Sequence, residues 1–254
     1  MNNHRLYELS KPVVFAHRGA KNYAPENTLA SFQKALEMGA QALELDITLT
    51  KDDEVVVIHD DTVDRTTDGK GAVNDLELAE IKKLDAGSWF SNDYWGERIP
   101  TLKEVLDLVQ GKALINIEIK NAKERNRVLV QKAANLVREK RQQESIIFSS
   151  FYRENVRMVR KELPNCPVGF LTLPGFIGKI EIGLLGGVSP DLIHPHFSSL
   201  SAHFIERQHA HLRRVHSYTI NDADLMRTLV RWGVDGFFCD DLLIAQQVLS
   251  SISY

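Results

Sequence analysis

Cysteine is scarce: Cys166 and Cys239 are the only two in 254 residues. They do not stand at metal-ligand spacing, and one possible pair is no disulfide framework. Both are expected to be small buried hydrophobes. Long apolar runs are lacking too. None approaches the roughly 18 residues of a membrane span, and Met1 to Lys11 is polar where a signal peptide would carry an apolar core. The expected location is cytoplasmic, with no stable membrane insertion. No GxGxxG follows a strand-like run, which counts against a dinucleotide-binding sheet. Charge of one sign is also missing: 31 Lys and Arg face 34 Asp and Glu, a formal net charge of −3. Such a chain has no broad field to attract nucleic acid or an anionic bilayer. An anionic small molecule would have to be held by local positive groups.

What is present is ample for one packed core: 43% of residues are apolar and 26% charged. Short apolar runs alternate with helical patterns. Val13–Ala16, Ala42–Ile47, Ala113–Ile119, Ser145–Phe148, Pro167–Leu171, Val188–Ile193, Val215–Ile220 and Val234–Phe238 read as strands. Ser31–Met38, about Lys123–Arg141, Glu154–Leu163, Ser201–Ala210, Asp222–Trp232 and Asp241–Ser250 read as helices. Eight such β–α steps in this length predict an α/β fold, a closed (β/α)8 TIM barrel. Residues 1–254 are expected to form a single domain. The rhythm breaks at about 60–100, an inserted segment after the second strand. Val55–Ile58 fits a short extra strand and Asp75–Leu84 a helix, and Trp89, Phe90, Tyr94 and Trp95 gather near its end. The segment is expected to form a small satellite core on the barrel rim.

Barrel enzymes carry their chemistry at the C-terminal ends of strands. The first strand ends in His17-Arg18-Gly19, the second carries Glu44-Leu45-Asp46, the extra strand runs into His59-Asp60, and the third ends in Glu118-Ile119-Lys120. Period two places Glu44 with Asp46, and Glu118 with Lys120, on one face toward the barrel mouth. Three inward carboxylates repel one another, and a divalent cation removes the conflict. An all-oxygen donor set favours Mg2+ or Ca2+ over zinc. Arg18 and Lys120 supply positive charge beside it, suited to phosphate. His17 and His59 titrate near neutrality and can act as base and acid. Read singly, each carboxylate is an ordinary salt-bridge residue and each histidine a structural one. Their convergence on neighbouring strand ends points to catalysis. Ser149 and Ser150 end the fourth strand, but nothing in the sequence marks either as an activated nucleophile.

These residues, with Pro25-Glu26-Asn27-Thr28, Val57-Ile58-His59-Asp60, Asp64-Arg65-Thr66-Thr67-Asp68-Gly69, Ile99-Pro100-Thr101-Leu102, Ile117-Glu118-Ile119-Lys120 and Val234-Asp235-Gly236, resemble the glycerophosphodiester phosphodiesterase family. The matches run in family order over nearly the whole chain. The resemblance implies a barrel that hydrolyses glycerophosphodiesters to sn-glycerol 3-phosphate and an alcohol, in glycerophospholipid and glycerol metabolism. It implies one divalent cation on Glu44, Asp46 and Glu118, His17 and His59 as acid and base, and Arg18 and Lys120 on the phosphate. It further implies that the glycerol 2-hydroxyl attacks phosphorus first, giving a cyclic phosphate that water opens.

Two departures stand out. Tyr218 replaces the family's usual Trp, keeping an aromatic wall for the substrate pocket, and Cys239-Asp240 replaces the more usual Thr-Asp. Glu26 and Asn27 are expected to support the loop after the first strand. His194 and His196, flanking Pro195, are expected in a solvated loop, and His209 and His211 at the surface. Thr172 to Gly178 reads equally as a mobile flap or an ordinary loop. Two rival functions remain: a lysophospholipase D-like phosphodiesterase on the same barrel, which an exposed apolar rim would favour, and a non-catalytic phosphate-binding module, which the presence of both histidines disfavours.

Overall fold

The computed structural model describes residues 4–120, 125–183, 185 and 188–252. Eight parallel strands close on one another: β1 (Val13–Ala16), β2 (Ala42–Leu49), β4 (Leu114–Ile119), β5 (Ile146–Ser150), β6 (Val168–Thr172), β7 (Leu192–Pro195), β8 (Arg214–Ser217) and β9 (Gly236–Cys239). The register Phe15↔Ala42 between β1 and β2 completes the ring. β3 (Val55–Val57) lies outside it, antiparallel to β2. This is the (β/α)8 barrel with its insertion after the second barrel strand.

Alternation along the strands builds two shells. On β2, Leu43, Leu45, Ile47 and Leu49 face the helices, while Ala42 joins Leu6, Val13, Phe15, Leu114, Ile147, Leu192 and Phe238 in the barrel interior. Leu6 is fully buried, and the N-terminal segment is tied down by His4 Nε2, 2.9 Å from the Ile146 carbonyl, and by Arg214 donating to the Leu6 carbonyl. The N-terminal end of the barrel is thus plugged, leaving the C-terminal end as the open mouth.

The helices are α1 (Leu29–Glu37), α2 (Leu78–Ile81), α3 (Leu102–Val109), α4 (Asn126–Glu139), α5 (Arg153–Glu162), α6 (Gly175–Gly183), α7 (Ala202–Ala210), α8 (Ala223–Arg231) and α9 (Leu242–Ser251). Several starts follow the sequence. Thr28 accepts from the Ser31 amide, Thr101 and Glu104 form a reciprocal capping box, and Asp222 and Asp241 cap α8 and α9. Lys123, expected at the start of α4, lies outside the described residues.

Several expectations are corrected, among them the strand expected at Val215–Ile220, which runs over Arg214–Ser217. The strand expected at Val188–Ile193 is Leu192–Pro195, because the apolar Val188 packs in the outer core ahead of it. His194 is therefore a fully buried strand residue and not a solvated loop residue. The helix expected at Asp75–Leu84 is reduced to one turn, Leu78–Ile81. Thr172 ends β6, and Gly175 to Gly178 form the first turn of α6. The insertion makes its own core from Val56, Ile58, Val63, Val73, Ile81, Ala86 and Ile99, as expected.

Candidate active site

The turn after β1 is shaped by backbone as much as by side chains. Arg18 sits in the left-handed region at φ 56°, which costs a non-glycine residue about 1 kcal/mol or more. Gly19 follows at φ 83°, and a Cβ there would lie 2.4 Å from Ser31 Oγ. Only glycine fits. This turn aims the Arg18 amide at Glu44 Oε2, 2.9 Å away, and sends its guanidinium to Glu26 Oε1 at 2.8 Å. Arg18 Nε lies 3.4 Å from Asp46 Oδ2 and is a buried donor without a hydrogen-bond partner among the described residues.

β2 and β4 bring the carboxylates together. One ligand atom each from Glu44, Asp46 and Glu118 falls within 4.8 Å of the others. The register Asp46↔Glu118 explains why: the two are direct neighbours across the parallel pair. Lys120 Nζ lies 2.8 Å from Asp46 Oδ1 and 2.6 Å from Glu118 Oε1. Asn27 donates to Asp46 Oδ2 at 2.9 Å.

Burial raises the Glu44 pKa well above its usual value, and the charges of Asp46 and Glu118 push the same way. Glu118 is also raised by burial, with Lys120 opposing. For Asp46, burial is outweighed by Lys120 and Arg18, which hold it low. Lys120 is raised despite its own burial, held charged by Asp46 and Glu118. The cluster therefore remains short of positive charge even with both cations in place. This fits a divalent cation on oxygen donors.

Each histidine is clamped by a carboxylate. His17 Nδ1 lies 2.6 Å from Asp240 Oδ1, and Asp240 is fixed by Asn221 Nδ2 at 2.7 Å and faced by Lys21 at 3.4 Å. His59 Nδ1 lies 2.6 Å from Asp60 Oδ1. An ionised carboxylate only accepts, so in both rings Nδ1 carries the proton and Nε2 is left available. His17 Nε2 faces Glu44 Oε2 at 4.0 Å. Burial lowers both histidine pKa values; at His17 the bond to Asp240 opposes this, and at His59 the charge of Asp46 does. The bond from Arg65 holds Asp60 at about 2, and for Asp240 the bond from His17 outweighs burial and keeps it low.

All seven metal, phosphate and acid–base candidates thus meet at one mouth. Tyr218 borders it: its hydroxyl donates to the Thr172 carbonyl at 2.6 Å, and its ring meets Phe151 edge-on. Of the supporting carboxylates, Glu26 was expected from sequence in a supporting role, while Asp60 and Asp240 were given none. Glu26 bridges Arg18 and Arg65, with Arg65 at 3.0 and 2.9 Å, and Arg65 also grips Asp60. These bonds hold Glu26 at about 2 against its burial. Asp60 directly follows His59, a signal that was available; Asp240 is 223 residues from His17 and could be found only through barrel closure. His196 packs at a tilt against Phe197 and meets Tyr218 edge-on, at the mouth but outside the carboxylate cluster. His209 pairs with Asp235 at 2.6 Å. Both cysteines are buried, as expected.

The glycerophosphoryl diester phosphodiesterase family matches residues 17–243. A glycerophosphodiester phosphodiesterase of Caldanaerobacter subterraneus subsp. tengcongensis is 39% identical over 232 residues, 91% of this chain and 95% of its own. A phosphodiesterase of Oleispira antarctica, solved in complex with the product sn-glycerol-3-phosphate, superposes with a TM-score of 0.89 at 30% identity, over 97% of this chain and 99% of the other. A glycerophosphodiester phosphodiesterase of Agrobacterium tumefaciens gives 0.76 at 27% identity, over 92% and 98%.

Proposed function

The chain belongs to the glycerophosphoryl diester phosphodiesterase family, and from that premise we propose that it hydrolyses glycerophosphodiesters to sn-glycerol 3-phosphate and an alcohol, as one catalytic domain with a metal-dependent site. The observation that carries this reading is the pair of Nδ1-clamped histidines flanking a three-carboxylate cluster. Charge supports it. Glu44, Asp46 and Glu118 against Arg18 and Lys120 leave one negative charge, and one divalent cation turns this into one positive, matching a phosphodiester monoanion. When bound by Glu44, Asp46 and Glu118, Mg2+ or Ca2+ would neutralise charge at phosphorus and acidify the attacking hydroxyl.

The chain's own groups do the rest. Arg18 and Lys120 hold the phosphate oxygens. One of His17 and His59 takes the proton of the glycerol 2-hydroxyl at Nε2 as that oxygen bonds to phosphorus. The other, entering the step as the imidazolium with a second proton on Nε2, gives that proton to the departing alcohol as its P–O bond breaks. The cyclic phosphate is then opened by water, with the two roles reversed. Intramolecular attack avoids most of the entropic cost of recruiting water. Tyr218 walls the pocket.

The test is release of sn-glycerol 3-phosphate from a panel of headgroups, with and without chelator. Turnover should vanish on exhaustive metal removal and return with Mg2+ or Ca2+. Full activity in metal-free enzyme would overturn the metal assignment. A lysophospholipase D-like activity has one observation in its favour: Leu173, Phe176 and Ile177 are exposed just beyond the C-terminal end of β6. A 1-acyl glycerophosphocholine in the same panel separates the two readings. Among the described residues no helix is long and apolar enough to cross a membrane. A cytoplasmic enzyme acting on a small soluble diester is consistent with that.

A further inference from the structure

Eleven large hydrophobic side chains are exposed among the described residues, and five of them lie on one wall of the barrel. Leu173 leads into α6, and Phe176, Ile177 and Ile180 stand on it, exposed to 43, 76, 58 and 45%. Leu212, in the turn between α7 and β8, is 93% exposed. Phe176, Ile177 and Ile180, spaced i, i+1 and i+4 on α6 with Leu173 just before it, form an exposed apolar face of the kind that marks an interaction surface.

Positive charge accompanies the apolar groups. Between α6 and α7 runs an open cavity of about 630 Å3, lined by Ile182, Leu185, Val188, Phe204, Arg207 and Arg213 among others. No carboxylate lines it among the described residues. Two acids stand on the same helices without lining the cavity: Glu181 accepts from the Leu173 amide at 2.9 Å, and the exposed Glu206 faces His203 at 4.0 Å. A chain of net charge −3 thus presents a groove lined by two arginines and, among the described residues, by no carboxylate.

We infer that the α6–α7 wall docks reversibly on a bilayer containing anionic phospholipid. Phe176, Ile177 and Ile180 are exposed on α6, with exposed Leu173 just before it at the mouth end and exposed Leu212 in the turn before β8 at the opposite end. An acyl chain of one bound substrate would need a groove leading from Tyr218; a bilayer surface needs protruding apolar side chains with cations beside them. Arg207 and Arg213 supply the cations, each worth about 1 kcal/mol near an anionic surface. Docking there would hold the catalytic mouth at the edge of the lipid interface.

The probe is co-sedimentation with vesicles of phosphatidylcholine alone and with about 30% phosphatidylglycerol. The wild-type chain should bind the anionic vesicles at least about fivefold better, and roughly 0.5 M NaCl should remove that advantage by screening. Phe176→Ser with Ile177→Ser, and separately Arg207→Glu with Arg213→Glu, should each abolish binding. Both variants should keep the wild-type circular dichroism spectrum and unchanged hydrolysis of glycerophosphocholine without vesicles. Absence of binding to the anionic vesicles overturns the proposal, as does equal binding by the folded variants. A wild-type dimer that the Ser variant turns into a monomer assigns the wall to a second copy of this chain. A loss confined to turnover of monomeric 1-acyl substrates assigns it to an acyl chain instead. Either result also overturns bilayer docking.

Discussion

His17 follows β1 and His59 follows β3, yet the two are built alike: a ring just past a strand end, with Nδ1 bound to a carboxylate at 2.6 Å and Nε2 left outside that bond. That construction fixes the tautomer and makes each ring useful as a base or an acid. His17→Ala and His59→Ala should each lower kcat by about 10²–10⁴ with an unchanged circular dichroism spectrum. A variant that keeps near-native kcat removes its histidine from the mechanism. Arg18→Ala and Lys120→Ala should lower kcat/KM well beyond Lys132→Ala, whose lysine only faces Glu54 at 3.6 Å. Equal small effects at all three would deny a phosphate role. Both histidines were legible from the sequence because strand ends can be located by apolar runs. Their carboxylates were less so. Asp240 reaches His17 only because β9 pairs with β1, with Ala16 opposite Cys239, and no local pattern announces that register.

Among the elements, β7 is where the sequence misled. An apolar run from Val188 invites an early strand, but the strand begins at Leu192, and His194 becomes an interior residue. The neighbouring β6 had prepared for it. A Cβ at Gly169 would meet the His194 ring at 2.6 Å, so glycine there makes room for imidazole. At Gly236 a Cβ would come first within 2.7 Å of the Val13 carbonyl oxygen and then within 3.1 Å of the His216 ring. Gly169→Ala should therefore destabilise the fold by about 1–3 kcal/mol through overpacking, while Gly39→Ala, whose Cβ would only come within 3.8 Å of Gln246, reports the backbone cost of its φ of 83° alone. Denaturant midpoints measure both, and a Gly169→Ala midpoint equal to wild type would show that His194 can move aside. By contrast, β2 and β4 were readable residue by residue, because strict alternation separates Leu43, Leu45 and Ile47 from Glu44 and Asp46.

For the whole molecule, the interior below the mouth carries an acid-sensitive pair. His194 and His216 are fully buried, stacked with centroids 5.3 Å apart, and none of their four ring nitrogens has a hydrogen-bond partner among the described residues. Burial pushes His194 down to about 3, and burial together with the His194 charge drives His216 well below its usual value. In the unfolded chain both protonate at about 6.5. Between that pH and about 3 the unfolded state therefore binds protons that the native state refuses, so stability falls as pH falls. Each such histidine contributes a loss of about 1.4 kcal/mol per pH unit well inside that window. Aspartates held low, such as Asp60, add their own loss only below about pH 4. Glu44 and Glu118, raised by burial, act in the opposite sense, since they take up protons earlier in the native state. A difference measurement separates these effects. Urea unfolding of wild type and His216→Phe, each referred to its own stability at pH 7.5, should diverge between about pH 6.5 and 4.5, with wild type losing more. Parallel losses in that interval would mean that His216 is protonated in the folded barrel, its charge met by water among the ring nitrogens.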